Sequence, residues 1–179
     1  MKKLLILMLL ACVPFKGISQ SIFDKFENSD RIGVVTISKG MLNIFVNMME
    51  NDSDPESREF VQMAKNIDGI KIFLSEDNGA AADMAVTMEQ YVKSSRLEEL
   101  MKVKDGDTSL KFYIKQGKDD DHVEELLMFA TGIDEAKDNP EYHFETVLLT
   151  MTGNIDLTKV GALTNKMKLH NGLNKIQEK

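Results

Sequence analysis

The sequence predicts an α+β two-layer sandwich: a mixed, mostly antiparallel sheet of about six strands with helices on one face, in the order β-α-α-β-α-β-β-β-β-α. Three observations carry this. Strand-type and helix-type segments alternate up to about residue 96, the rhythm switches to period two from Leu97, and helical spacing returns at the end.

The elements follow in order. Arg31 to Ser38 is β-branched and apolar on both faces, as a central strand would be. Met41, Leu42, Phe45, Met48 and Met49 then recur at helical spacing. Asn51-Asp52-Ser53-Asp54-Pro55 ends that helix; Asp54 caps the next one, with Pro55 at its first position and Phe60, Val61, Ala64 and Ile67 along it. In a second strand, Ile70, Ile72 and Leu74 share one face. Asp77-Asn78-Gly79 leads into a helix whose Ala81, Met84, Ala85, Met88, Tyr91 and Val92 form a single stripe.

Leu97–Lys104 and Ser109–Lys115 flank Asp105-Gly106-Asp107 as a hairpin. The loop 117–121 separates it from a strand over Val123–Thr131, and the segment 134–142 leads to another over Phe144–Thr152. Asp156 caps a last helix carrying Leu157, Val160, Leu163 and Met167, with 171–179 read as a flexible tail. Residues 20–170 thus form one domain. The near-match of Glu98-Glu99-Leu100-Met101 with Glu124-Glu125-Leu126-Leu127 is strand punctuation rather than a repeat.

Residues 1–19 read as a cleavable signal peptide. Lys2 and Lys3 precede the apolar stretch Leu4–Phe15, and Gly17 and Ser19 stand at −3 and −1 of a cleavage site before Gln20. The stretch is too short to span a bilayer, which takes about 20 residues. The expectation is a periplasmic or secreted protein cut after Ser19. The alternative is a lipoprotein anchored through Cys12, since Leu9-Leu10-Ala11-Cys12 loosely fits an acylation box; only then would the protein sit on a membrane.

Of 179 residues, 22 are basic and 29 acidic; losing Lys2, Lys3 and Lys16 leaves 19 basic residues and a net charge of −10. That balance, with no basic run, argues against nucleic acid. Cys12 is the one cysteine, so the mature chain has no disulfide, thiolate metal site or cysteine nucleophile. The nucleophile-elbow, zincin, phosphate-loop and dinucleotide motifs are missing from the sequence.

Three patterns invite a chemical reading. His122-x-Glu124 and His143-x-Glu145 would suit a first-row metal or hydrolytic site if they met, but consecutive antiparallel strands place their starts about 25 Å apart. Asp52-Ser53-Asp54-Pro55-Glu56 begins like a Ca²⁺ loop, yet Ser57 and Met63 stand where Gly and a bidentate Glu are required; Asp119-Asp120-Asp121 lacks the spacing. Met84 and Met88 could present thioethers to Cu(I), but lie on an apolar stripe where Met fills a core. The Met41–Met49 helix would make an adaptable binding face if exposed.

Ile18-Ser19-Gln20-Ser21 followed by Ile22-Phe23-Asp24-Lys25-Phe26-Glu27, then Ile37-Ser38-Lys39-Gly40-Met41-Leu42, Glu98-Glu99-Leu100-Met101 and Gly153-Asn154-Ile155-Asp156-Leu157 together resemble the exported family called domain of unknown function 4252, typical of Bacteroidota. The resemblance spans roughly residues 21–170. Some members of that family look like lipoproteins, and it carries no assigned site. The expectation is a non-catalytic module of the cell envelope, with no cofactor, no metal and no transmembrane segment. It would bind an unknown protein, envelope component or small ligand through the sheet face left free of helices. A metal-dependent or hydrolytic enzyme using His122 and His143 with neighbouring carboxylates is the alternative.

Overall fold

The computed structural model describes residues 21–50, 52–133 and 144–159. A 3-10 turn, Ser21–Phe26, leads to β1 (Gly33–Ser38), α1 (Lys39–Met49), α2 (Pro55–Ala64), β2 (Ile67–Ser75), α3 (Asn78–Ser95), β3 (Glu98–Asp105), β4 (Thr108–Asp119), β5 (His122–Thr131), β6 (Thr146–Asp156) and a 3-10 turn at Leu157–Lys159. The signal peptide with Cys12, the 134–143 connection with His143, most of the closing helix, and the tail lie outside the described residues.

The Asp54 cap is the one the sequence names, and the structure adds a second at Asp77. Asp54 accepts from the Ser57 N–H at 2.9 Å, with Pro55 inside the first turn of α2. Asp77 accepts from the Ala80 N–H at 2.7 Å to start α3. That bond, with the Arg31 guanidinium 2.9 Å away, holds the Asp77 carboxyl below its ordinary range. Arg96 ends α3 in the left-handed conformation (φ 55°), and the Leu97 N–H closes back on the Val92 carbonyl.

The six strands form one α+β sandwich sheet in the order β1-β2-β6-β5-β4-β3, antiparallel at every pairing. Four features differ from the sequence expectation. First, β1 lies at the edge, because β6 returns to occupy the other side of β2. Second, Ile67 opens β2 rather than closing α2, and faces Gly153 across a bulge. Third, no face of the sheet is left free of helices. Leu42, Val46, Val61 and Ala64 of α1 and α2 pack with Ile70, Leu126, Leu149 and Met151. Phe23 and Phe26 of the first turn, with Met84, Met88 and Tyr91 of α3, pack with Phe73, Leu127, Phe129 and Leu148.

Since side chains alternate along a strand, Ile70 and Phe73 of β2, or Leu148 and Leu149 of β6, point to opposite faces. The helices are therefore divided between both faces, and the binding face expected on one bare side of the sheet is absent. Fourth, the loop read at 117–121 is tighter than expected: β4 runs to Asp119, which pairs with His122.

On the α3 face, Lys71 reaches Asp24 at 3.3 Å and Glu27 at 2.7 Å, tying the first turn to β2. Burial works against its charge, but the two carboxylates prevail and raise its pKa. Among the described residues Gly106, Gly132 and Gly153 adopt positive φ, the first two for different reasons. Gly106 (φ 57°) turns the β3–β4 hairpin with open space around it; Gly132 (φ 67°) backs onto the Asp107 backbone, where a Cβ would collide with the carbonyl.

Gly106→Ala is accordingly expected to cost about 1 kcal/mol from φ alone. Gly132→Ala adds the collision and is expected to cost about 2–4 kcal/mol. Urea midpoints of the two variants read the difference.

Candidate functional site

The most unusual surface belongs to α1 and β1. Ser38 caps α1 by accepting from the Met41 N–H at 3.4 Å, and from Gly40 to Met49 no side chain is ionisable. The apolar positions 41, 42, 44, 45, 46, 48 and 49 span more than half the helix circumference at about 100° per residue. The fold uses only part of that arc. Leu42 and Val46 are buried and Met49 packs beside them. Met41, Ile44, Phe45 and Met48 are between 39% and 76% exposed, at the i, i+3, i+4, i+7 spacing of one stripe.

Beneath lies β1, whose Val35 is 45% exposed. In sequence it reads as a strand for the middle of a sheet. Placed at the edge, it keeps apolar side chains on a border that has no second strand neighbour among the described residues.

The other edge is built differently. Glu98, Glu99, Lys102, Lys104 and Asp105 charge β3, and a bulge between Glu99 and Met101 interrupts its register. Leu100 and Met101 are exposed there, but among charges. Charges and bulges are the devices that keep sheet edges from pairing. β1 has neither: its six residues are uncharged and pair with β2 in unbroken register.

A second candidate is the polar group inside the α3 face. The Tyr91 hydroxyl lies 2.7 Å and 2.8 Å from the two Glu125 carboxylate oxygens, so its one proton is donated to a carboxylate that straddles it. Glu125 is 3% and Tyr91 2% exposed. Burial holds the Glu125 carboxyl above its ordinary range, while the Tyr91 hydroxyl and the Lys115 ammonium pull the other way. On the neighbouring strand, the fully buried Thr150 Oγ1 has no hydrogen-bond partner among the described residues. A general acid or base must touch its substrate, and neither Tyr91 nor Glu125 reaches the surface. The pair works as a structural cross-brace between α3 and β5.

The patterns singled out in the sequence fall elsewhere. His122 bonds through Nδ1 to Asp119 across the β4–β5 turn, and Glu124 pairs with Lys115 at 2.9 Å. His122 lies opposite Asp156, whereas β6 begins at Thr146, opposite Thr131. The two strand starts are thus about 30 Å apart at 3.3 Å per residue; His143 itself is outside the described residues. Asp54 serves the α2 cap and Asp52 accepts from the Asp54 N–H at 3.0 Å, so these oxygens face backbone donors. Met84 and Met88 are fully buried in the core. Among the described residues no three His, Cys, Asp or Glu side chains are grouped to hold a metal ion, and no helix is long and apolar enough to cross a membrane.

Glu125 binds its proton more tightly in the folded than in the unfolded chain. Its contribution to stability is therefore full below the unfolded value near 4.5 and is lost as pH rises through the folded pKa. Glu125→Gln is expected to flatten that slope and to match or exceed the wild type in stability at pH 7, as read by urea denaturation across pH. Tyr91→Phe, which strips the buried carboxylate of its donor, is expected to cost about 1–3 kcal/mol at pH 7. That cost should shrink in the Glu125→Gln background, because the charge-assisted bond is the stronger one.

No curated protein and no solved structure matches the chain at a significant level. The family model described as Domain of unknown function (DUF4252) matches residues 26–163, from the first 3-10 turn to beyond β6. On that match the chain belongs to the domain of unknown function 4252 family.

Proposed function

We propose that this protein is an exported, non-catalytic interaction module of the cell envelope. Its working surface is the outer stripe of α1 together with the edge of β1. The observation that carries the reading is the stripe itself: four large apolar side chains held on a helix that Ser38 caps and left in solvent. Contiguous apolar patches of this kind mark interaction sites far more often than scattered single residues do. Methionine, with its unbranched thioether, suits a surface that must fit its partner closely.

Export rests on the leader: Lys2 and Lys3, the apolar stretch Leu4–Phe15, and the small residues Gly17 and Ser19 before Gln20. Cleavage after Ser19 gives a periplasmic or secreted protein; acylation of Cys12 would instead tether the same module to a membrane surface.

A photo-crosslinking residue placed at Met48 and at Val86, an exposed position on α3 across the sheet, tests the surface in the living envelope. A discrete adduct is expected from Met48 and none from Val86. Equal labelling from both positions, or none from either, would sink the reading. Intact mass of the recovered protein is expected to begin at Gln20; an acylated Cys12 would replace cleavage by anchoring.

A further inference from the structure

We infer that the occupant of this surface is a second copy of the same chain. The two copies join β1 to β1 in antiparallel pairing, with their α1 stripes in contact. The inference rests on the interaction reading above and names its partner.

Four observations lead to it. The first is the asymmetry of the sheet: one edge is charged and bulged, the other is neutral, regular and free of proline. Edge strands without such devices pair with other strands, and an antiparallel pair is the form a strand can make with itself.

The second is placement. α2 touches the 3-10 turn that follows β6, while α1 lies over β1 and β2, so α1 is the outer helix on that face. A two-fold axis perpendicular to the sheet, as antiparallel pairing requires, keeps α1 and its copy on the same face. The stripes then meet beside the joined strands in an isologous contact.

The third is charge. Gly33–Ser38 and Gly40–Met49 contain no ionisable side chain, and Lys39 between them is engaged by Asp68 at 3.2 Å and the Lys65 carbonyl at 3.0 Å. Two molecules that are acidic overall can therefore meet here without opposing like charges. An anionic lipid surface or an acidic partner would find no free basic group on the stripe.

The fourth is area. Val35, Met41, Ile44, Phe45 and Met48 expose about 500 Å² between them, taking roughly 200 Å² for a whole large side chain. Two copies would bury about 1,000 Å² of apolar surface before the strand backbones are added, the size at which specific interfaces begin.

Sedimentation velocity of the processed protein, purified from its envelope, over a range of concentrations tests this. The wild type is expected to sediment at twice the mass of the chain. Val35→Lys and Met48→Glu each place a charge on the contact twice, once per copy, and each is expected to weaken dimerisation about 100-fold or more. At concentrations low enough that the wild type is also monomeric, thermal midpoints should hardly move, since both positions are exposed. Leu100→Lys, on the opposite edge, is expected to leave the dimer intact.

A wild type that stays monomeric at the highest concentrations overturns the inference. If Met48 then still yields an adduct with a different protein in the envelope, the interaction reading survives without self-pairing; if it yields none, both fall. A dimer that resists Val35→Lys and Met48→Glu but dissolves with Leu100→Lys places the contact on β3 and also overturns it. So does a monomer that floats with neutral phospholipid vesicles and loses them on Met48→Glu, in favour of a lipid surface.

Discussion

Strands β2, β5 and β6 carry apolar side chains on both faces, and this two-sided burial governs how everything else is arranged. Phe73, Leu127 and Leu148 cannot share a layer with Ile70, Leu126 and Leu149, because the pleat sends them in opposite directions. Each face must be covered, and the chain covers them with separate parts. The α1–α2 pair closes one side; α3 and the aromatic turn around Phe23 and Phe26 close the other. The Phe23 ring sits edge-on to Tyr91 at 4.9 Å, so even the hydroxyl that serves Glu125 is held in place by the far N-terminal segment.

The same requirement creates the exposed surface. The central positions go to β2, β6 and β5, flanked by β4, and β1 is left outside. α1 must cover the β1–β2 end of its face, which occupies Leu42 and Val46 and leaves the rest of its apolar arc without a floor. A protein could blunt this border with lysine or proline, as it blunts β3 with charge. That it keeps Val35, Ile44 and Met48 there is the physical basis for reading the border as functional.

Much of this fold is legible in the sequence because it is local. The Asp54-Pro55 cap, the entry into α3 at Asp77-Asn78-Gly79, the Gly106 turn, and the helix and strand order all follow from side chains that act on their own backbone. What is not legible is whatever depends on a distant neighbour. A strand's apolar character says how much it wants to be buried, not which strand lies beside it, so Arg31–Ser38 reads as central and lies at the edge. The division of helices over both faces was nearer to hand: the unbroken runs Leu126–Ala130 and Val147–Leu149 already ask for cover on two sides. Glu125 reads as punctuation at a strand start. Only the placement of Tyr91 above it turns that carboxylate into a buried one. The α1 stripe was half visible, since Met41, Phe45 and Met48 are seen at once, but which of two adjoining stripes the core takes is settled by packing.

The pairing of β2 with β6 has a consequence in time. β2 is complete at Ser75, and its second neighbour begins at Thr146, about 70 residues later. At ordinary rates of synthesis that is a wait of roughly 4 to 14 s. During that interval the strand destined for the interior has one partner and one open side, and the neutral β1 ribbon beside it is no better protected. Until its last strand arrives, the chain leaves uncovered an edge of β2, the strand that the finished fold buries on both faces.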